Sequence, residues 1–206
     1  MTKEQEAEIV RRVLAGEADA FEAIVDEYQK TVYNLALKMT GNPEDAQDMS
    51  QEAFIKAFSS LGSFRGDSKF SVWLYRIVSN VCLDFIRSRS RKPTSSLNVK
   101  DADGEYTELE IADVRHMPED ELQRRLTREA VQQGLDRLPA DQRQILLLRE
   151  IEGLSYDEIG DILSLESGTV KSRIFRARKK FSAYLIKNGN IPDEFASKVI
   201  EGSVTV

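Results

Sequence analysis

The stretch SYDEIGDILSLESGTVKSRIFRARKKF, at Ser155–Phe181, predicts two short helices joined by a tight turn. Ser155 and Glu158 have the spacing of a capping box, in which each side chain bonds the backbone N–H of the other residue at a helix start. Residues 164–166 form the expected turn, and Ser167 is expected to cap the second helix. The apolar residues of the first helix, Ile159, Ile162 and Leu163, are expected to be buried.

The second helix of this pair is apolar on one face and basic on the other. At about 100° per residue, four apolar residues fall within an arc of about 60°: Val170, Ile174, Ala177 and Phe181. The opposite face presents Thr169, Ser172, Phe175, Arg176, Lys179 and Lys180, and Lys171, Arg173 and Arg178 flank the apolar stripe. A three-residue turn before a basic helix is typical of the helix-turn-helix motif.

An aromatic side chain among cations fits a helix that enters the DNA major groove. Arg176 would then bind guanine O6 and N7, Ser172 a base edge, and Phe175 a thymine methyl group. Lys171, Lys179 and Lys180 would bind mainly phosphates. The alternative is a three-helix bundle whose surface helix is merely basic.

Composition excludes several classes of protein. The chain has 206 residues and is 41% hydrophobic, enough for one domain or two small ones. Its longest unbroken aliphatic run, Ile145–Leu148, is far shorter than the roughly 20 residues of a spanning helix, and the N-terminus lacks the pattern of a secretory signal. We therefore expect a cytoplasmic protein without membrane insertion.

Few residues are available for metal binding or catalysis. Cys82 and His116 are the single cysteine and histidine, which excludes an internal disulfide, a recognisable zinc site and a Ser-His or Cys-His catalytic set. The sequence has no GxxxxGK phosphate-binding loop. We expect no metal, no cofactor and no enzymatic activity, and a helical hydrolase is the most distant alternative.

Charge is distributed in opposed blocks. The net charge is −6, but residues 101–121 alone carry −8, so the rest of the chain carries +2. Basic residues cluster at 87–92 and 171–180. This pattern favours a protein that binds a polyanion and has an acidic connector, although ordinary solvated helix faces would also produce it.

The whole chain is expected to be all-α, with two helical domains joined by a flexible acidic linker and a helix-turn-helix in the second. The predicted domains are residues 1–92, a linker at 93–118, residues 119–187 and an extension of unknown role at 188–206. We call 1–92 the first lobe and 119–187 the second lobe. The predicted helices are Pro43–Leu61, Lys69–Arg89, Glu119–Leu138, Ala140–Glu152, Tyr156–Leu163 and Gly168–Lys187.

An acidic face with one apolar residue is predicted on the helix that begins at Pro43. Asp48, Gln51, Glu52 and Ile55 share this face by their i, i+3, i+4, i+7 spacing. Such a face is suited to docking on a basic partner helix. A solvated acidic face close to a helix N-terminus is the alternative.

The next helix has a core stripe and an opposite polar row. The stripe consists of Leu74, Ile77, Val78, Val81 and Phe85; the row consists of Arg76, Asn80 and Arg87, with Trp73 at its edge. Cations, an amide and an aromatic ring in line suit single-stranded nucleic acid, and the preceding loop, residues 64–68, could hold a flipped base. The alternative is a half-buried core tryptophan beside a solvated row.

Four stretches together resemble the extracytoplasmic-function (ECF) sigma factors of bacteria. They are DAQDMSQEAFIKAF at Asp45–Phe58, FRGDSKFSVWLYRIVSNVCLDFIR at Phe64–Arg87, LPADQRQILLLREIEGLSYDEIGDIL at Leu138–Leu163 and SGTVKSRIFRARKK at Ser167–Lys180. The resemblance extends to about Lys187, and the segment that follows exceeds the usual end of the family.

The resemblance implies a protein that binds core RNA polymerase and directs it to a subset of promoters. Asp48, Gln51, Glu52 and Ile55 would dock on the β′ clamp coiled coil. The −10 promoter DNA would be recognised and melted by Phe64, Arg65, Asp67, Trp73, Arg76, Asn80 and Arg87. The −35 element would be bound by Thr169, Lys171, Ser172, Phe175, Arg176 and Lys179, in a lobe that also contacts the β flap. The linker would pass near the RNA exit path, and an anti-sigma factor is an expected partner.

Two other functions fit parts of the sequence. A free-standing DNA-binding regulator would use the second lobe alone and bind duplex DNA without polymerase, usually as a dimer. A helical protein adaptor would be insensitive to nucleic acid, so charge reversal at Arg176 would change nothing.

Overall fold

The computed structural model describes residues 1–91 and 119–188, with side chains at 1–90 and 125–188, and every regular element in these ranges is helical. The first lobe contains α1 to α4, and the second lobe contains α5 to α8. The bounds are Lys3–Leu14 (α1), Glu22–Thr40 (α2), Pro43–Ser59 (α3), Phe70–Arg91 (α4), Glu119–Asp136 (α5), Ala140–Glu150 (α6), Tyr156–Leu163 (α7) and Ser167–Lys187 (α8), with 3-10 turns at Ala18–Phe21 and Leu61–Ser63.

The predicted helices are present, with small differences at their ends. Tyr156–Leu163 has the predicted bounds, and the other predicted ends differ by at most two residues. The all-α prediction is confirmed for the described ranges. The predicted linker at 93–118, with His116, and the extension beyond Asn188 lie outside the described residues.

Small side chains on α3 let it pack closely against α2. Its buried face consists of Ala46, Met49, Ser50, Ala53 and Ala57, opposite the fully buried Ile24, Val32, Leu35 and Met39 of α2. Asn42 caps the N-terminal end of α3, because its Oδ1 accepts a hydrogen bond from the backbone N–H of Asp45 at 2.9 Å, and Pro43 follows at the first helical position. Leu74, Val78 and Val81 of α4 complete the core.

The apolar run Ile145–Leu148 lies at the centre of the molecule. All four of its side chains are buried, although they point to different sides of α6. The surroundings of α6 explain this burial, because α7 and α8 pack on it from its own lobe and α2 and α4 from the first lobe. A helix that is apolar on all sides is stable only where it is covered on all sides.

Candidate nucleic-acid interface

The first helix of the helix-turn-helix begins at the predicted capping box. The backbone N–H of Glu158 donates to Ser155 Oγ at 3.2 Å, and the backbone N–H of Ser155 donates to Glu158 Oε2 at 2.8 Å. The hydrogen bond from Ser155 holds the pKa of the Glu158 carboxyl group below its usual value. Both residues therefore fix where α7 starts.

The turn between α7 and α8 depends on a close approach of two backbone segments. A Cβ atom on Gly160 would lie 2.7 Å from the carbonyl oxygen of Leu165, so a larger residue would push the turn away. The backbone N–H of Leu165 donates to Gly160 O at 2.9 Å, and Ser164 adopts a left-handed conformation with φ of 54°.

The prediction that Ser167 caps α8 is wrong. Glu166 occupies the N-cap position with an extended backbone, and no side chain caps it. The carbonyl oxygen of Glu166 already accepts hydrogen bonds from the backbone N–H groups of Thr169 at 2.8 Å and Val170 at 3.0 Å. Ser167 is consequently the first helical residue, one position later than the cap.

The two faces of α8 are separated as predicted. Val170, Ile174, Ala177 and Phe181 are all buried. Among the predicted DNA-binding residues, Phe175 is 54% exposed, Lys171, Ser172, Arg176 and Lys179 are exposed, and Thr169 is half-buried. Arg176 lies along its own helix, where its Nε donates to the carbonyl oxygen of Ser172 at 3.2 Å. This hydrogen bond would have to be exchanged for one to a base before Arg176 could recognise DNA.

Two arginine contacts that sequence reasoning missed hold α7 and α8 against α6. Arg178 donates to Glu150 Oε1 through Nη2 at 2.6 Å and through Nε at 2.9 Å. Arg149 donates to the carbonyl oxygen of Leu154 at 2.7 Å, and its guanidinium lies 5.0 Å from the ring centre of Tyr156. The helical spacing placed Arg178 beside the buried stripe but gave no signal that it pairs with Glu150, because that contact depends on where Glu150 of α6 lies.

The four residues of the predicted docking face all lie on α3. Asp48 and Gln51 are exposed, Ile55 is 68% exposed, and Glu52 is half-buried and paired with Lys56 at 2.6 Å. Phe58, which sequence reasoning did not single out, extends the apolar part of this surface and is 43% exposed. Phe58 lies one helical turn after Ile55. Part of its ring packs against Phe21, with the ring centres 5.3 Å apart.

Three aromatic rings meet where the loop before α4 joins the helix. The ring centres of Phe64, Phe70 and Trp73 lie 5.2 to 5.5 Å from one another. Trp73 and Phe64 are half-buried, whereas Phe70 is fully buried. Trp73 is therefore half-buried within this cluster, and part of its ring remains exposed.

The polar row predicted on α4 lies on the surface. Arg76, Asn80 and Arg87 are exposed, as are Arg65 and Asp67 in the preceding loop. On α4, the stripe residues Leu74, Val78 and Val81 are buried, whereas Ile77 and Phe85 are only half-buried. The row and the loop are therefore candidate contacts for nucleic acid, although the buried Leu83 lies between Asn80 and Arg87 on this face of α4.

The described ranges contain no group of His, Cys, Asp or Glu side chains that could hold a metal ion. Cys82 is buried, and burial raises the pKa of its thiol to about 12, so it stays protonated and unreactive. None of the described helices combines the length and the apolar character that crossing a bilayer requires.

Known families match both lobes. The family model described as Sigma-70 region 2 matches residues 24–92, and the one described as Sigma-70, region 4 matches residues 128–181. The RNA polymerase sigma-H factor of Pseudomonas aeruginosa is 42% identical over 181 residues, which cover 87% of this chain and 93% of that protein. The chain belongs to the ECF sigma factors of the sigma-70 family.

Other ECF sigma factors show similar agreement. SigW of Bacillus subtilis is 39% identical, with 82% of this chain and 91% of that protein covered, and the sigma-E factor of Escherichia coli K12 is 39% identical, with 83% and 89% covered. The sigma factor therefore acts in promoter-specific initiation of transcription. The region 2 match runs from Ile24, near the start of α2, through α3 and α4, and the region 4 match includes α7 and the part of α8 up to Phe181.

Two solved structures resemble both lobes of this sigma factor. One is CnrH in complex with the cytosolic domain of CnrY, with a TM-score of 0.61 and 25% identity. The match covers 87% of this chain and 96% of the CnrH chain. The sigma factor RpoE in complex with the anti-sigma factor NepR, from Bartonella quintana, has a TM-score of 0.59 and 26% identity, and it covers 80% and 96%.

Proposed function

We propose that this ECF sigma factor binds the β′ clamp coiled coil of core RNA polymerase through the face formed by Asp48, Gln51, Glu52 and Ile55. The observation that supports this site is an apolar side chain, Ile55, held 68% exposed among carboxylate and amide groups on a well-packed helix. Exposed apolar residues inside a polar patch mark protein interfaces. Phe58 would widen the apolar centre of the contact.

The second lobe binds the −35 element through α8 in this proposal. The observation that carries this assignment is the exposed Phe175, which lies beside Ser172 and Arg176 on the side of α8 opposite the buried stripe. A helix with such a face fits the major groove, where an apolar ring contacts thymine and a guanidinium contacts guanine. The same lobe would contact the β flap.

The first lobe binds the −10 element and stabilises its melted form. Arg76, Asn80 and Arg87 would follow the backbone of one strand, while Trp73 and Phe64 would offer ring surface to an unstacked base. The predicted domains, 1–92 and 119–187 with a linker at 93–118, would thus divide the two promoter elements between them. Residues 188–206 receive no role.

The sigma factor itself contributes binding rather than catalysis, and RNA polymerase performs the chemistry. A factor that binds the opened promoter better than the closed one shifts the equilibrium toward opening. Two weak DNA contacts joined through polymerase act at a high effective concentration, so the free protein is expected to bind promoter duplex feebly. Because RNA polymerase acts in the cytoplasm, we expect this protein there as well. The solved complex of RpoE with the anti-sigma factor NepR supports an anti-sigma factor as a further partner.

Sedimentation of the purified protein with bacterial core RNA polymerase tests the docking face. The triple variant Asp48→Ala/Gln51→Ala/Glu52→Ala should lose most of the binding. The double variant Glu4→Ala/Glu8→Ala is a matched control, since it removes two exposed acids from α1 and changes the net charge equally. Equal loss in both variants would indicate a general charge effect and contradict the proposed site.

The free-standing regulator makes the opposite prediction for DNA. It requires tight, sequence-specific binding of promoter duplex by the protein alone, and no role for Asp48, Gln51 and Glu52. An electrophoretic binding assay with and without core polymerase separates the two functions, because the sigma factor should bind the promoter specifically only when polymerase is present.

A further inference from the structure

The last turn of α6 contacts both helices of the helix-turn-helix through two successive residues. Arg149 donates to the carbonyl oxygen of Leu154 and lies over the ring of Tyr156, the first residue of α7. Glu150, the final residue of α6, accepts hydrogen bonds from Arg178 of α8. The end of α6 therefore fixes the start of α7 and the middle of α8 relative to each other.

The contact between Glu150 and Arg178 is largely shielded from water. Nη2 and Nε of Arg178 donate to the same carboxylate oxygen, Oε1, at 2.6 and 2.9 Å. The side chain of Arg178 is 13% exposed, and that of Glu150 is 34% exposed. A charge-assisted contact with two donors is stronger and more directional than an ion pair between fully exposed side chains.

Glu150 occupies a position where a negative charge is otherwise unfavourable. The C-terminal end of a helix carries a partial negative charge, which repels a carboxylate. Arg178 supplies the opposite charge from α8, 28 positions away in the chain. The carboxylate at this position is consequently explained by its contact with α8, since it adds nothing favourable to α6 itself.

The apolar stripe and the ion pair constrain α8 in different ways. Val170, Ile174, Ala177 and Phe181 are buried, and α8 packs against α6. The free energy of apolar burial depends on area and has no preferred direction, so it resists separation of the helices more than a small rotation. A planar guanidinium bonded through two nitrogens requires a defined geometry and therefore resists rotation as well.

Arg178 lies behind the predicted base-contacting residue Arg176. The two are two positions apart, which is about 200° around the helix and about 3 Å along its axis. Arg176 bonds Ser172 of its own helix, and such bonds do not hold α8 against the lobe. A rotation of α8 by about 10° would move an atom about 6 Å from the axis by about 1 Å, enough to lose a hydrogen bond to a base.

We propose, on the basis of the proposed function, that Glu150 and Arg178 are positioning residues for −35 recognition. Their ion pair fixes the rotation of α8 on α6 and so sets how Arg176 approaches the base edge. Arg178 thus acts on sequence preference without contacting DNA, although it belongs to the basic cluster at 171–180. The competing role, a phosphate contact, would require the Arg178 side chain to leave Glu150.

Sequence preference separates a positioning role from a general effect on stability. Core polymerase with the wild type, Glu150→Gln or Arg178→Gln is assayed by run-off transcription on a promoter library randomised over the −35 element. Discrimination between base pairs at the position read by Arg176 should fall at least about fivefold in both variants. A smaller folded fraction would lower transcription from every promoter by the same factor, so unchanged ratios would overturn the proposal.

Arg125→Gln is the matched control in the same lobe. Arg125 pairs with Glu129 on α5 at 2.8 Å, so this substitution also breaks an ion pair and changes the net charge as Arg178→Gln does. Its discrimination between −35 sequences should remain that of the wild type. A loss as large as that in Arg178→Gln would overturn the proposal, because it would reflect charge rather than the position of α8.

The double variant Glu150→Gln/Arg178→Gln tests whether the two residues act as one unit. Its discrimination should be no lower than that of either single variant, because each substitution already breaks the same ion pair. Losses that multiply would overturn the proposal. A phosphate contact by Arg178 would also overturn it, and would be recognised by a uniform loss at all −35 sequences with a salt slope of binding reduced by about 1.

Arg176→Ala in the same assay distinguishes failure of this inference from failure of the proposed function. If Arg176→Ala abolishes a preference that Glu150→Gln and Arg178→Gln both retain, the proposed function stands and the positioning role is wrong. If Arg176→Ala leaves every −35 preference unchanged, the proposed reading by Arg176 is contradicted, and the positioning role with it.

Discussion

The helices α4 and α8 are nearly equal in length, and each carries cations beside an aromatic residue, but they present the aromatic ring differently. Phe175 of α8 stands 54% exposed on the face that carries Arg176. Trp73 of α4 lies half-buried against Phe64 and Phe70. The same sequence signal therefore produces an exposed ring among cations on one helix, and a cluster of packed rings where the preceding loop joins the helix on the other.

Among the variants that compare the two helices, one that removes core packing beneath α8 should have the largest effect. Ile159 is fully buried under α8, and Ile159→Ala should lower the free energy of unfolding by about 2–5 kcal/mol. Chemical denaturation followed by circular dichroism measures this loss. Ile151→Ala is the control, since Ile151 is 44% exposed and its truncation should change stability by less than about 0.5 kcal/mol.

The same variant also tests whether the two lobes have separate functions, when polymerase binding is measured beside −35 recognition. Ile159→Ala should weaken −35 recognition and leave the docking face on α3 functional. Equal loss of polymerase binding and −35 recognition would contradict the division of function between α3 and α8.

Removal of the ring on α4 should affect melting rather than duplex recognition. Trp73→Ala removes contacts with Phe64 and Phe70 and a stacking surface worth about 1–3 kcal/mol per base. Permanganate reactivity of unpaired thymines at the −10 element should fall. Trp73→Phe keeps a ring and should retain most of the reactivity; an equal loss in both variants would argue against stacking.

Removal of the guanidinium on α8 should act on sequence preference. Arg176→Ala should cost about 1–3 kcal/mol at one −35 position and leave polymerase binding intact. Run-off transcription from promoters that differ at single −35 positions measures this. Lys180→Ala is the control, because loss of a phosphate contact should weaken all promoters alike. Unchanged transcription in Arg176→Ala would remove Arg176 from the base-contacting residues.

Low pH should lower the stability that the capping box gives to the N-terminal end of α7, with a smaller effect than the substitutions above. The capping hydrogen bonds hold the pKa of Glu158 below the usual value of 4.5. Its contribution to stability is therefore present above pH 4.5 and is lost as the pH falls through the lower pKa of the folded state. Denaturation curves of the wild type and Glu158→Gln should converge at low pH; a constant difference at every pH would contradict the linkage.

Local rules were sufficient for the helices and for their faces. The capping box of Ser155 and Glu158, the N-cap at Asn42 and the buried stripe of α8 all follow from residues within one or two turns of each other. The position of Ser167 was predicted wrongly because the backbone of Glu166 completes the first turn without a side-chain cap. That difference depends on the exact path of the turn around Gly160.

The sequence by itself determined the helical periodicity, the opposed charge blocks and the surfaces on α3, α4 and α8, because these depend on interactions between residues close in the chain. Only the tertiary structure decided that Arg178 faces Glu150, that Trp73 joins Phe64, and that Arg143 bonds the carbonyl oxygen of Met39, 104 positions away. Such contacts depend on how whole helices and lobes meet, and no local spacing encodes which distant carbonyl or carboxylate a buried guanidinium will find.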